Sequence, residues 1–407
     1  MRHDHTQWLI HFVRDRNPEQ DFPGEDENDV ELLSGGELEV DASAFAVLKT
    51  IIRLGGLLPG YSFRSGRTTI YGGKPAVCAT EMPVYSFATY AQSKADPAKV
   101  SAYGIAFLKS EFFSAGGRPA IYGLSSEVVK YIENGERRRV FHSSVLPLEE
   151  QYRYVAYSPL EARWIDWSHE REWRWIARDN DRDYISGENT SGYPSHRPGL
   201  PLFQGGLDGG AFSRLRIIVW TREEAQEIQE LLTGFYLAKS NNYATPFDAD
   251  LIKSSAIIIL QEVVAAVENG RDLNAQTIEG LEEAGLVAPI VIHPAPDGAR
   301  ERVLEAFSLA SAAGKAAAVE YIAKSPFDTG FCGYAYAVTY EVTDPLVQFM
   351  VLNDFASGPY DGVVHIDVPP SWPSWQSMDY NECVFAAVVD VLQQQLGFNV
   401  YKKSRPD

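Results

Sequence analysis

Two hydrophobic rhythms alternate irregularly along this chain, and that mixture limits its fold more than any single motif. Runs such as Trp8 to Val13, Gly104 to Lys109 and Leu215 to Trp220 are short, bulky and rich in β-branched and aromatic residues, as strands require. Between them Phe45, Leu48, Ile51, Ile52 and Leu54 recur at spacings of three and four. Asp41 or Ser43 stands before this helix as a cap, and Gly55-Gly56 follows as a left-handed stop. Further strands are expected at Thr68 to Tyr71, Ala76 to Ala79 and Pro119 to Leu124, and a short helix opens at Asp96-Pro97 and ends near Tyr103. Strands and helices do not follow a strict βαβ alternation, so the expected class is α+β.

A length of 407 residues exceeds one ordinary domain. Residues 1–240 form the expected first domain. Within it Asp179 to Gly210, dense in Gly, Pro, Ser and Asp, reads as a long surface loop. The strand Leu215 to Trp220 and a helix to about Leu232, opened by a Thr221/Glu224 capping box, close that domain. Residues 241–407 read as a smaller α/β domain. Helices are expected over Leu251 to Val267, within Asn274 to Ala284 and over Ala299 to Lys324. Strands at Gly333 to Val342 and Gly362 to Val368 follow, then a helix capped by Asp379 with Glu382, a stop at Gly397, and a strand at Phe398 to Lys402. No period of 20 to 50 residues repeats, which excludes solenoids and propellers.

Hydrophobic residues at 45% and charged ones at 22% are the composition of a globular chain. Thirty-six basic against 55 acidic residues leave a net charge of −19, which repels nucleic acid and anionic lipid on average but leaves room for a local basic groove. Eleven of those acids fall between Asp15 and Asp41 with Arg16 as the single base, a solvated surface segment. Cys78, Cys332 and Cys383 are odd in number and widely spaced, which argues against a disulfide framework and for a reducing, cytoplasmic compartment. No secretory signal is read at the N-terminus, and no apolar run is long enough to span a membrane.

Three clusters carry chemistry. In Trp167-Ser168-His169-Glu170-Arg171-Glu172-Trp173-Arg174, an extended backbone places Glu170, Glu172 and Arg174 on one face. Two carboxylates so close push their pKa values apart and can divide acceptor and donor roles, though the pattern also suits a charged edge strand. His11 interrupts the apolar strand Leu9-Ile10-His11-Phe12, with Arg14 at its end, and suits a satisfied core histidine equally. Arg64 and Arg67 flank Ser65-Gly66 ahead of Tyr71-Gly72-Gly73, where two guanidinium groups suit a phosphate, but the segment has neither P-loop nor Rossmann spacing.

In their order along residues 7–235, these features resemble the bacterial ADP-ribosyltransferases of the DarT-like, phage-defence (abortive infection) type. The resemblance runs from the histidine strand through Ile52-Arg53-Leu54-Gly55-Gly56-Leu57-Leu58 and Ala76-Val77-Cys78-Ala79-Thr80-Glu81-Met82-Pro83 to the Glu-x-Glu. It implies an ADP-ribosyltransferase-like split β-sandwich that grips NAD as substrate. Glu172 would stabilise the oxocarbenium charge on the nicotinamide ribose and Glu170 would orient the acceptor nucleophile. His11 would contact the ribose or carboxamide, Arg67 or Arg64 would neutralise the pyrophosphate, and Arg14 would join the NAD-binding residues. Tyr71 and Tyr85, with Phe87 and Tyr90, would offer stacking rings, each of which suits core packing as well.

The expected function is therefore mono-ADP-ribosyl transfer to a nucleic-acid or protein acceptor by a toxin or antiphage effector, restrained by an antitoxin or released by a phage trigger. The alternative is a catalytically inactive chain of the same fold that engages a basic partner through its acidic surface. In the C-terminal part Asp361, His365 and Asp367 suggest a metal site, but His365 and Asp367 share a strand face with no third ligand of clear spacing, so no metal is expected. Pro369-Pro370-Ser371-Trp372-Pro373-Ser374-Trp375 reads either as a partner-binding loop or as a lid over that domain's core.

Overall fold

A computed structural model describes residues 6–16, 41–61, 63–64, 67–93, 101–124, 131–133, 139–160, 163–178, 184–188, 194–204, 210–243, 245–269, 277–328 and 330–407. The acidic segment after Arg16, the helix expected from Asp96-Pro97 and the start of the one expected from Asn274 lie outside the described residues. The chain divides into two compact units, residues 1–228 with 243–290, and residues 229–242 with 291–407.

The first unit is built on an eight-stranded sheet. Its strands are β1 (Trp8–Val13), β2 (Val77–Thr80), β3 (Tyr103–Leu108), β4 (Arg118–Pro119), β5 (Glu172–Trp175), β6 (Leu215–Val219), β7 (Ala256–Ile259) and β8 (Val287–Pro289), in the order β8-β7-β6-β3-β1-β2-β5-β4. Its helices are α1 (Ala44–Leu54), α2 (Val84–Ser93), α3 (Lys109–Ser114), α4 (Arg222–Ala238), α5 (Ala249–Ser254), α6 (Leu260–Glu268) and α7 (Ile278–Glu283), with α4 running on into the second unit. Neighbouring strands are antiparallel except β6 and β7. That parallel pair needs a long crossover, which α4 and α5 supply. Trp8, Ile10, Ala106, Ile218 and Ile258 pack on one face against Val84 and Phe87 of α2, Leu260 and Val263 of α6, and Ile278 and Leu281 of α7.

Local chemistry sets these elements. Ser43 caps α1 by accepting from the Ala46 N–H at 3.3 Å, and Gly55 ends it at φ 76°, a conformation that favours glycine. Thr221 and Glu224 form the reciprocal capping box of α4 at 2.9 and 3.2 Å.

Where the structure departs from the sequence reading, pairing partners decide. The helix expected over 251–267 is α5, then β7, then α6. Ala256-Ile257-Ile258-Ile259 is buried at every position and lies beside β6, because a central strand covered on both faces reads as an unbroken apolar run. The loop expected over 179–210 contains an antiparallel hairpin, Tyr184–Glu188 with Pro194–Pro198, and Leu200–Pro201 pairs with Gly56–Leu57. Residues 243–290 belong to the first unit because β7 and β8 extend its sheet, so a division at 240 would cut that sheet.

The second unit contains α8 (Ala299–Lys324), β9 (Gly333–Thr339), α9 (Pro345–Leu352), β10 (Ala356–Tyr360), β11 (Val363–Ile366), α10 (Met378–Leu396) and β12 (Tyr401–Pro406). The sheet order is β10-β11-β9-β12, antiparallel throughout, so β9 to β12 and their helices form a split βαβ arrangement, βαββαβ. An antiparallel sheet makes this part α+β rather than α/β. Its core joins Val303, Phe307 and Ala310 of α8 to Leu346 and Met350 of α9, Tyr380, Val384 and Val388 of α10, and Ala337, Val364 and Ile366 of the sheet. Trp372 and Trp375 pack against that core. The cap of α10 is Ser377, which accepts from the Tyr380 N–H at 3.4 Å, whereas Glu382 reaches Lys402 at 3.4 Å. The chain is thus a mixed α+β protein. Among the described residues no helix is long and apolar enough to cross a membrane.

Candidate functional site

Strand β5 opens on Glu172, and the residues around it form a polar knot at one end of the large sheet. Arg174, two residues on and on the same face, donates from Nε to Glu172 Oε1 at 2.8 Å and from Nη2 to Oε2 at 3.1 Å. Its Nη1 donates to the carbonyls of Tyr152 at 2.7 Å and Tyr154 at 3.0 Å. Arg174 is 4% exposed. Burial pulls its pKa down, but the charge and hydrogen bonds of Glu172, with Cys78 and Tyr122, outweigh this and raise it. The cation is permanent.

Cys78 lies opposite Arg174 on β2, and its thiol is hydrogen-bonded to Glu172. Burial first, then the Glu172 charge, pushes that thiol far up, so it is a neutral donor and no nucleophile. The Glu172 N–H donates to the Tyr122 hydroxyl at 2.6 Å, and burial chiefly pushes Tyr122 up to about 12. The other face of β5 is tied separately: Trp173 Nε1 donates to Glu81 at 2.7 Å, and Lys109 meets Glu81 at 2.9 Å.

The expected pairing of Glu170 and Glu172 on one strand face does not occur. Residues 168–170 form a single 3₁₀ turn and Arg171 takes the left-handed region at φ 47°, so the extended period begins only at Glu172. Glu170 remains near enough to raise the pKa of both Cys78 and Tyr122 through its charge.

His11 lies on the opposite side of the sheet. Ile10 pairs with Thr80 and Thr80 with Glu172, so these three share a face and His11, the next residue along β1, points to the other. Its Nδ1 contacts the Cys78 carbonyl at 2.8 Å and therefore carries the proton, and burial lowers its pKa. Arg14 follows β1 and is half-buried. The backbones of Arg64 and Arg67 face each other in a two-residue ribbon, and their side chains lie outside the described residues, as does that of Tyr90.

Tyr71 is 6% exposed, stacked on Phe141 at 4.7 Å, edge-on to Tyr154 at 4.9 Å and beneath the Arg139 guanidinium at 4.3 Å. Its faces belong to this small core, although it also helps line an open groove of about 410 Å³ with Lys74, Glu149 and Tyr152. Tyr152 connects the groove to the knot, since its carbonyl is an Arg174 acceptor. Tyr85 and Phe87 of α2 pack in the main core, Phe87 stacked on Phe12 at 4.2 Å.

The structure thus places Glu172 and Glu170 near Cys78 and Tyr122, links Glu172 to the groove near Tyr71 through Arg174 and Tyr152, and separates His11 from them. Arg174 as partner of Glu172 was implicit in the two-residue period. Cys78, Tyr122 and Tyr152 arrive from other segments, and only the pairing of β2 and β5 reveals them. Among the described residues no group of three or more His, Cys, Asp and Glu is placed to hold a metal ion. No protein-family model, curated protein or solved structure matches this chain.

Proposed function

We propose that the first unit is a mono-ADP-ribosyltransferase of a split β-sandwich type that uses NAD as substrate, acting from the face of the sheet that carries Glu172. The observation that supports this reading is an inward-facing carboxylate, fixed by a buried arginine, one residue away from an aromatic-lined groove. In the proposed reaction the bond between ribose C1′ and nicotinamide breaks, and nicotinamide leaves with the electron pair. Glu172 stabilises the oxocarbenium charge, and an acceptor nucleophile bonds to C1′ while its proton passes toward Glu170. His11 has no part in this version, since it holds the Cys78 carbonyl on the other face.

The test is incubation of the full chain with NAD labelled on the adenylate half, alone and with cell lysate. Expected are nicotinamide release and label transfer, reduced about 100-fold or more in Glu172→Gln. A melting curve of the variant separates lost chemistry from lost folding. Label transfer that survives in a folded Glu172→Gln protein overturns the role of Glu172, and absence of nicotinamide release together with absence of NAD binding heat overturns the enzyme reading.

One observation favours the inactive alternative. Both oxygens of Glu172 are occupied by Arg174, as in a purely structural ion pair. On that reading the acidic surface binds a basic partner, and NAD neither binds nor raises the melting temperature.

A further inference from the structure

The sheet of the second unit carries its helical core on one face, and its other face presents exposed rings around the buried Val338, at 0%, and Val363, at 7% exposed. Ala337, Val364 and Ile366 point into the core with α8, α9 and α10. The alternate residues point away from it. Tyr334 pairs with Arg405, Tyr336 with Lys403 and Val338 with both Tyr401 and His365, so these residues share the outward face. Four rings form a row across three strands: Tyr360 to His365 at 6.4 Å, His365 to Tyr336 at 5.3 Å, and Tyr336 to Tyr334 at 6.4 Å. Tyr334 is 46% and Tyr360 64% exposed. On β12, beside the row, Lys403 and Arg405 are exposed too. A carboxylate also faces this side, Asp367, and Ser357 hydrogen-bonds it. Lys402, by contrast, turns under the sheet to Glu382.

We infer that this outward face binds single-stranded nucleic acid, with bases stacked on Tyr334, Tyr336 and His365 and phosphates met by Lys403 and Arg405. The two aliphatic residues of this face, Val338 and Val363, are already buried, so what it offers a partner is rings, and every nucleobase has a π-face that stacks on them. Cations along one flank of the rings supply the backbone contact. A four-stranded sheet that presents aromatic residues on its open face is a known geometry for splayed bases, whereas a duplex keeps its bases stacked and out of reach. The chain's net charge of −19 opposes nucleic acid on average, so binding must come from this local pairing of rings and cations. The inference is independent of the chemistry proposed for the first unit.

Fluorescence anisotropy on the full chain tests it, with labelled oligouridine and oligodeoxythymidine of about twelve nucleotides and an RNA duplex of the same length. Both single strands are expected to bind, the duplex at least about tenfold more weakly, and a preference for oligouridine would assign a contact to the 2′-OH. The double substitution Tyr334→Ala/Tyr336→Ala should weaken binding at least about tenfold. Lys403→Gln and Arg405→Gln should each flatten the salt dependence of the binding constant by roughly 0.7 in logarithmic slope. Tyr334, Lys403 and Arg405 are exposed and Tyr336 is half-buried, so a melting curve of each variant is recorded beside binding, and a folded variant that binds weakly excludes misfolding as the cause. Absence of binding at about 100 μM chain in low salt, or binding indifferent to these substitutions, overturns the inference. So does self-association of the chain that the tyrosine double variant abolishes while no oligonucleotide binds, since that assigns the face to a protein partner.

Discussion

Arg174 divides its guanidinium among one carboxylate and two backbone carbonyls in a site almost closed to water. Removing it strands a buried charge on Glu172, and truncation of one partner of such a pair costs about 3–5 kcal/mol. Arg174→Met should therefore lower the urea-unfolding stability of the first unit by roughly that amount, and Glu172→Leu/Arg174→Met should recover most of it. Equal losses in the single and double variants would show that the pair is not what the arginine serves. His11 supplies the pH-dependent counterpart. Burial disfavours its cation, which the Cys78 carbonyl contact only partly opposes, so its folded-state pKa lies below the ordinary 6.5. The unfolded chain then takes up a proton at a pH where the folded chain does not. Stability from this group is complete above about 6.5 and is lost as the pH falls through that value, by at most about 1.4 kcal/mol per pH unit. Denaturant midpoints between pH 7.5 and 5.5 should fall in the native chain and fall less in His11→Gln.

At the scale of elements, the helix over Ala299–Lys324 and several helix boundaries were legible because each signal lies within one short window. Ala299–Lys324 matches its expected bounds, and the Thr221/Glu224 box and the stops at Gly55 and Gly397 sit where the residue types require. What a window cannot hold is the identity of a neighbour. Ile257-Ile258-Ile259 fits a buried helix until β6 is known to lie beside it. The same limit hid most of the knot: Glu172 and Arg174 are readable as residues i and i+2, but Cys78 meets them across a strand pair and Tyr122 through a backbone contact. Glu170 was misplaced for a local reason, the left-handed Arg171, which no residue type at that position announces. These assignments have energetic consequences. Ile258→Ala removes fully buried atoms from the core and should cost about 2–5 kcal/mol in denaturant unfolding. Ser377→Ala should cost about 1 kcal/mol as a lost cap, and Glu382→Ala within about 0.5 kcal/mol as a surface change. The reverse ranking would restore the Asp379/Glu382 box.

For the whole molecule, the decisive feature is that chain order and unit membership disagree. Strands β7 and β8 close the large sheet from residues beyond 240, and α6 and α7 contribute Leu260, Val263, Ile278 and Leu281 to the core that also holds Trp8 and Ile10. A fragment ending at residue 240 would expose the edge of β6, a strand buried at all five positions, along with the apolar surface those helices cover. An uncovered apolar strand edge pairs with other chains. That fragment should aggregate on expression. The core of the second unit lies wholly between Ala299 and Val400, and its sheet needs no strand from elsewhere. Residues 291–407 alone should therefore fold, giving a sigmoidal thermal transition by circular dichroism and dispersed amide resonances. A soluble, cooperatively melting fragment 1–240 beside an unfolded 291–407 would mean that the sheet tolerates loss of β7 and β8 and that the second core depends on chain outside itself. The assignment of residues 243–290 to the first unit would then be wrong, and the second core would need the residues 229–242 that belong to its unit.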